Sequence, residues 1–148
     1  MLRRLVAAAA VLAGLYALPA QALEFRSVKE TGVALYEAPT LSAKKLFLVS
    51  RYYPVEVLSS QKEWSRVRDA TGGIAWIPLA ALSSQRWLLV TADQAVVRAA
   101  ASADAAPVFS VARDGVLQWQ EAPKDGWVKV KHRDGSSGFA RITDLWGL

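Results

Sequence analysis

Any chemistry in this 148-residue chain has to start from one histidine, His132, thirteen carboxylates and no cysteine. A single imidazole cannot build a three-histidine metal centre, and the carboxylates show no HExxH, DxD or EF-hand spacing. The lack of cysteine removes a thiol nucleophile, zinc thiolate sites and a disulfide scaffold together. No serine sits in a GxSxG elbow. Ser136 and Ser137 adjoin His132, but they belong to an Asp-Gly-Ser-Ser-Gly turn, where small residues follow from turn geometry. Asp134, in that same tight turn, is badly placed to orient the ring. His132 follows Val128 and Val130 at strand spacing and reads first as a partly buried structural imidazole. No Gly-rich loop opens a helix. The residues therefore predict no enzyme, metal or cofactor.

Binding is a better use of the inventory. In Trp127-Val-Lys-Val-Lys131 a period of two puts Val128 and Val130 on one face and Trp127, Lys129 and Lys131 on the other. The segment Trp64-Ser-Arg-Val-Arg68 repeats this, with Ser65 and Val67 inward and Trp64, Arg66 and Arg68 outward. The strand after each segment places Ala75 and Ile77, or Ala140 and Ile142, inward. Trp76, Phe139 and Arg141 are then outward. Rings beside cations suit a peptide or sugar ring carrying a carboxylate. The candidate ligand face is thus Trp64, Arg66, Arg68 and Trp76, with Trp127, Lys129, Lys131, Phe139 and Arg141 as its second copy. The same rings would equally serve as a junction between two units.

The elements that carry these residues are strands. FRSVK, VALYE, KLFLV, PVEVLS, WSRVRD and GIAWI in one half are bounded by turn residues. WLLVT, AVVRA, PVFSVA, VLQWQE, GWVKVKH and GFARI form the other half. Residues 99–106 are Ala-rich without spaced large hydrophobes, which predicts a loop. The halves are an internal repeat. A shift of 62 puts Ala38 on Ala100, Phe47 on Phe109, Val49 on Val111 and Arg51 on Arg113. An extra residue near Gly126 then aligns Trp64 with Trp127, and two more near Ser136 and Ser137 widen the shift to 65, setting Gly73 on Gly138. Each copy holds about 60 residues, a small core, so two small barrels in tandem are expected to pack together across Ser83-Ser84-Gln85. Trp119 reads as core, and Trp146 and Leu148 as the pins of the chain end.

Residues 1–22, MLRRLVAAAAVLAGLYALPAQA, read as a secretory signal peptide: two arginines, an apolar run of about 14 residues and an Ala-Gln-Ala cleavage site. The run is shorter than the roughly 20 residues of a membrane span. Residues 23–84 and 85–148 are then the two domains, exported to the periplasm or secreted, without stable membrane insertion after cleavage. Eighteen basic residues less Arg3 and Arg4, against thirteen acidic, leave a net charge of +3, which is no nucleic-acid footprint.

The ordered set of segments resembles a tandem pair of bacterial SH3 domains of the SH3b type. The residues that carry the resemblance are Val33-Ala-Leu-Tyr-Glu-Ala-Pro-Thr40 and Ala95-Val-Val-Arg-Ala-Ala-Ala-Ser102 at the opening. Glu63-Trp-Ser-Arg-Val67 and Gly126-Trp-Val-Lys-Val130 follow at the centre, then Ala75-Trp76-Ile77 and Ala140-Arg141-Ile142 at the close. The sequence departs from the family at the opening, where Tyr36 replaces an arginine and Ala38 a glycine. The resemblance implies an all-β fold of two SH3-like barrels and a free-standing, non-catalytic binding module. It implies either recognition of cell-wall peptide or glycan (peptidoglycan), or an adaptor role toward another envelope protein.

Overall fold

The computed structural model describes residues 22–148; the signal peptide expected over residues 1–22 lies outside the described residues apart from Ala22. The first repeat forms strands β1 Phe25–Val28, β2 Val33–Tyr36, β3 Lys45–Val49, β4 Pro54–Gln61, β5 Trp64–Arg68, β6 Ile74–Pro78 and β7 Leu82–Ser83. The second forms β8 Trp87–Val90, β9 Gln94–Arg98, β10 Pro107–Ala112, β11 Val116–Trp119, β12 Trp127–Lys131, β13 Ser137–Arg141 and β14 Leu145–Trp146. Short 3-10 turns, Leu79–Ala81 and Ile142–Asp144, precede β7 and β14. The described residues contain no α-helix, and 99–106 is a loop.

Each repeat is one antiparallel sheet, in the order β3-β2-β6-β5-β4-β1-β7 and β10-β9-β13-β12-β11-β8-β14. The orders are identical strand for strand, so the internal repeat is a repeat of topology. The all-β reading holds, but the expected pair of closed barrels is wrong. Closure needs the outermost strands to join, and no ladder connects β3 with β7 or β10 with β14. The two-residue β7 and β14 are too short to carry a second ladder, so both sheets stay open with β3 and β10 as free edges.

Register fixes the correspondence between the copies. Leu35 faces Phe47 as Val97 faces Phe109, and both hairpins shift register at the next pair, Tyr36 with Lys45 and Arg98 with Pro107. The shift is 62 up to β4 and 63 from β5 onward, as Val67 facing Ala75 and Val130 facing Gly138 require. The further widening to 65 does not occur. The turns after β5 and β12 have equal length, closed by Asp69 N–H to Gly73 O and by His132 N–H to Ser136 O. Trp76 therefore corresponds to Phe139, Ala75 to Gly138 and Pro78 to Arg141.

Alternation decides what is buried. Val28, Leu35, Val55, Val67, Ala75 and Ile77 make the first core; Leu88, Val97, Leu117, Val128, Val130 and Ala140 make the second. Ser65, fully buried, shares a 2.9 Å hydrogen bond with the Ser60 hydroxyl. Between the repeats, Tyr52 stacks on Trp87 with centroids 3.9 Å apart, and Phe25 meets Trp146 edge-on at 5.1 Å. Arg86 lies over the rings of Phe25 and Trp119 and donates to Gly147 O at 2.6 Å. Burial lowers the pKa of its guanidinium.

Candidate ligand-binding face

Cross-strand partners share a face, so the ladders assemble the outward residues into rows. In the first repeat, Tyr36 on β2 faces Trp76 on β6, which faces Arg66 on β5; Trp64 faces Pro78 one step along. Tyr36 packs edge-on against Trp64, with centroids 5.4 Å apart. Trp64 stays half-buried and lines two hollows. One, about 540 Å³, is walled by Leu41, Pro78 and Leu79; the other, about 510 Å³, by Pro39 and Gln61. Lys62 and Glu63 rim both. Hollows of this size with apolar walls and a few polar groups are typical ligand sites.

The β4–β5 hairpin explains why this ring is open. Its ladder runs to Gln61 facing Trp64, and Lys62, with φ of 40°, makes the reversal tight. In the second repeat Lys124 faces Trp127 as Gln61 faces Trp64, Asp125 with φ of 52° takes the place of Lys62, and Pro123 stands just before this pair. Proline donates no ladder hydrogen bond, and β11 ends at Trp119. Residues 121–123 leave the ladder, which closes again where Lys124 and Trp127 exchange hydrogen bonds of 2.8 and 3.0 Å, and Glu121, Ala122 and Lys124 line the hollow beside Trp127. Arg141 covers the ring from the neighbouring strand, 4.8 Å from its centroid. Trp127 is consequently 9% exposed, and the hollow beside it is only about 320 Å³.

The cations divide in the same way. Arg66 is exposed opposite Trp76. Arg68 is taken by Glu56 at 2.9 Å and sits opposite Ile74, away from the Trp64 hollows. Lys129 pairs with Glu121 at 3.3 Å, and Lys131 is exposed opposite Ser137. Phe139 is half-buried between Lys129 and Arg98 in the ladder. Trp76 lines neither Trp64 hollow. The residues that do line them, Pro39, Leu41, Lys62, Pro78 and Leu79, were not singled out in the sequence. Pro39 lies in the opening segment whose departure to Tyr36 was the available signal. The rings at the inter-repeat junction are Phe25, Tyr52, Trp87, Trp119 and Trp146.

His132 is half-buried, edge-on to Phe109 with centroids 5.8 Å apart, and its Nδ1 accepts the Asp134 N–H at 3.3 Å. The Ser136 N–H, donated at 2.8 Å, holds the Asp134 carboxyl below its ordinary pKa. Among the described residues no group of three His, Cys, Asp or Glu side chains can hold a metal ion. No helix among them is long and apolar enough to cross a membrane.

Two family models, each described as a bacterial SH3 domain, match residues 31–84 and 91–147. The chain belongs to the bacterial SH3-domain family. Bacterial SH3 domains are non-catalytic binding modules, and both copies here are of that kind. No curated protein matches the chain. Among solved structures, NlpC2 from Trichomonas vaginalis is 17% identical over 86% of this chain and 49% of its own, with a TM-score of 0.38. NlpC1 from the same organism is 15% identical over 87% and 47%, with a TM-score of 0.38. An NlpC/P60 family protein from Bacillus cereus is 15% identical over 82% and 55%, with a TM-score of 0.36. The chain spans about half the length of each, and likenesses at these TM-scores support no argument.

Proposed function

We propose that this tandem bacterial SH3-domain protein is an exported envelope module that holds cell-wall peptide or glycan in the groove beside Trp64. The observation that carries the reading is the pair of hollows flanking that one ring, one of them walled by Leu41, Pro78 and Leu79. A flat indole edge with Pro39, Leu41, Pro78 and Leu79 beside it matches the apolar face of a sugar or an extended peptide. Lys62 and Glu63 at the rim offer a cation for a carboxylate and an acceptor for an ammonium or hydroxyl group. The export half of the proposal rests on residues 1–22 and predicts a protein recovered outside the cytoplasm that begins at Leu23 by mass spectrometry.

The test is co-sedimentation with insoluble cell wall. Wild type is expected in the pellet, and Trp64→Ala is expected to lose roughly 1–3 kcal/mol of affinity while staying folded, with a stability loss of only about 1 kcal/mol. Retention equal to wild type sinks the Trp64 groove. A protein that stays in the supernatant and instead co-purifies with one envelope protein through Trp64 makes the module an adaptor.

A further inference from the structure

A further cavity, about 510 Å³, lies between the two repeats and is built differently from the Trp64 groove. Leu48 comes to it from β3 and Arg51 from the turn after β3. Leu89 and Val116 come from the second sheet, Asp114 from the turn between β10 and β11, and Arg133 from the turn after β12. Most other arginines of the described chain are engaged. Arg26, Arg68 and Arg113 have carboxylate partners, Arg86 and Arg98 hold backbone carbonyls, and Arg141 lies over Trp127. Arg51 and Arg133 are exposed, and among the described residues neither has a carboxylate within ion-pair distance.

Arg51 is also held in place. Its guanidinium lies 4.8 Å from the centroid of Tyr52, and Tyr52 stacks on Trp87 across the repeats. Leu48, 69% exposed, is uncovered beside it, and β3 is a free edge with only β2 as its partner. A ligand that uses all of this needs carboxylates for two guanidinium groups, apolar side chains for Leu48 and Val116, and a backbone able to pair with a strand edge. A phosphate or a polyanionic chain has only the first. The Asp114 carboxylate can accept a peptide N–H, which neither of those carries.

We propose that this inter-repeat cleft docks an extended acidic peptide segment of a partner protein along the free edge of β3, its carboxylates on Arg51 and Arg133. The mode is strand addition, in which main-chain bonds give affinity and alternate side chains give specificity. The site is separate from the Trp64 groove, and Trp64→Ala leaves it intact.

Fluorescence anisotropy of full-length protein with a labelled peptide of alternating Glu and Val, and its Gln and Val analogue, tests this at low ionic strength. The acidic peptide is expected to bind at least about tenfold tighter than the Gln analogue. Arg51→Gln and Arg133→Gln should each weaken it about threefold to fivefold, the scale of exposed ion pairs. Leu48→Glu places a carboxylate in the cleft at an exposed position and should abolish binding without moving the thermal melt. Arg133→Glu should shift preference toward an alternating Lys and Val peptide. Equal binding of the Glu and Gln peptides overturns the proposal. So does an unchanged affinity in Arg133→Gln, or binding of inorganic polyphosphate through these arginines where the acidic peptide fails to bind.

Discussion

Trp64 and Trp127 begin equivalent strands, occupy equivalent ladder positions and follow equivalent turns, yet one borders open hollows and the other is covered. The difference arises from three neighbours. The first hairpin's ladder runs on to Gln61, while the second leaves its ladder after Trp119, with Pro123 in the loop, and rejoins it only at Lys124 beside the ring. Tyr36 supports Trp64 edge-on, whereas the equivalent Arg98 turns to the Ala105 carbonyl at 3.0 Å. Pro78 leaves Trp64 open, whereas the equivalent Arg141 lies over Trp127. A shared topology therefore does not imply a shared site. One repeat keeps a groove and the other has spent the same ring on its own stability.

The sharpest test of that difference is to remove each ring. Trp127→Ala is expected to lower stability by about 3–5 kcal/mol, the usual cost of truncating a buried tryptophan. Trp64→Ala should cost about 1 kcal/mol, mainly the lost edge contact with Tyr36. Urea unfolding monitored by far-UV circular dichroism measures both. Equal losses would mean that both rings are structural and that the comparison between the repeats is empty.

A smaller asymmetry lies on the inner face. Ala75 and Gly138 occupy the same place, but a Cβ on Gly138 would sit 2.5 Å from the Arg98 carbonyl oxygen and 2.7 Å from Val97 Cγ1. Gly138→Ala is expected to cost about 1–3 kcal/mol through overpacking. Ala75→Gly should cost about 0.5–1 kcal/mol, the backbone entropy of glycine in a strand. A Gly138→Ala variant as stable as wild type would show that β9 and β13 sit farther apart than the structure has them.

Much of this fold was legible because burial in a sheet has a period of two. The twelve longer strands coincide with the apolar segments read from the sequence, and Val67, Ile77, Val128 and Val130 are inward as a period of two requires. The two-residue β7 and β14 were not legible, since a pair of residues has no period and their pairing depends on the preceding 3-10 turn. Closure was misjudged for a related reason: strand spacing reports how many strands there are, not whether the outermost two meet. The shift of 65 followed a Gly–Gly match, whereas Gly138 is glycine because Arg98 O crowds it, not because it serves the turn of Gly73. At the candidate site, the period placed Trp64 and Trp127 on the outward face alike. It could not show that a broken hairpin and Arg141 would cover only one of them.

The least expected consequence of the asymmetry concerns alkaline pH. Tyr53 in the first repeat corresponds to Gly115 in the second, so only the first carries a phenol there. Burial raises the Tyr53 pKa above its ordinary value of 10.0, with smaller contributions from Asp69 and Asp114, and its hydroxyl oxygen accepts the Ala70 N–H at 3.1 Å. A raised pKa means that the folded chain holds the phenolic proton more tightly than the unfolded chain. The stabilisation is complete below pH 10, where both states are protonated, and is lost as pH rises from 10 through the higher folded value. Tyr53→Phe should lose about 1 kcal/mol at neutral pH, from the missing acceptor. Its melting temperature should then fall less steeply than that of wild type above pH 10, because the proton-linked part is gone. Thermal melts at intervals from pH 8 to pH 11 compare the two slopes directly, with the remaining tyrosines common to both proteins. Parallel slopes would show that Tyr53 titrates alike in both states, and that the two repeats do not differ in their response to alkali at this position.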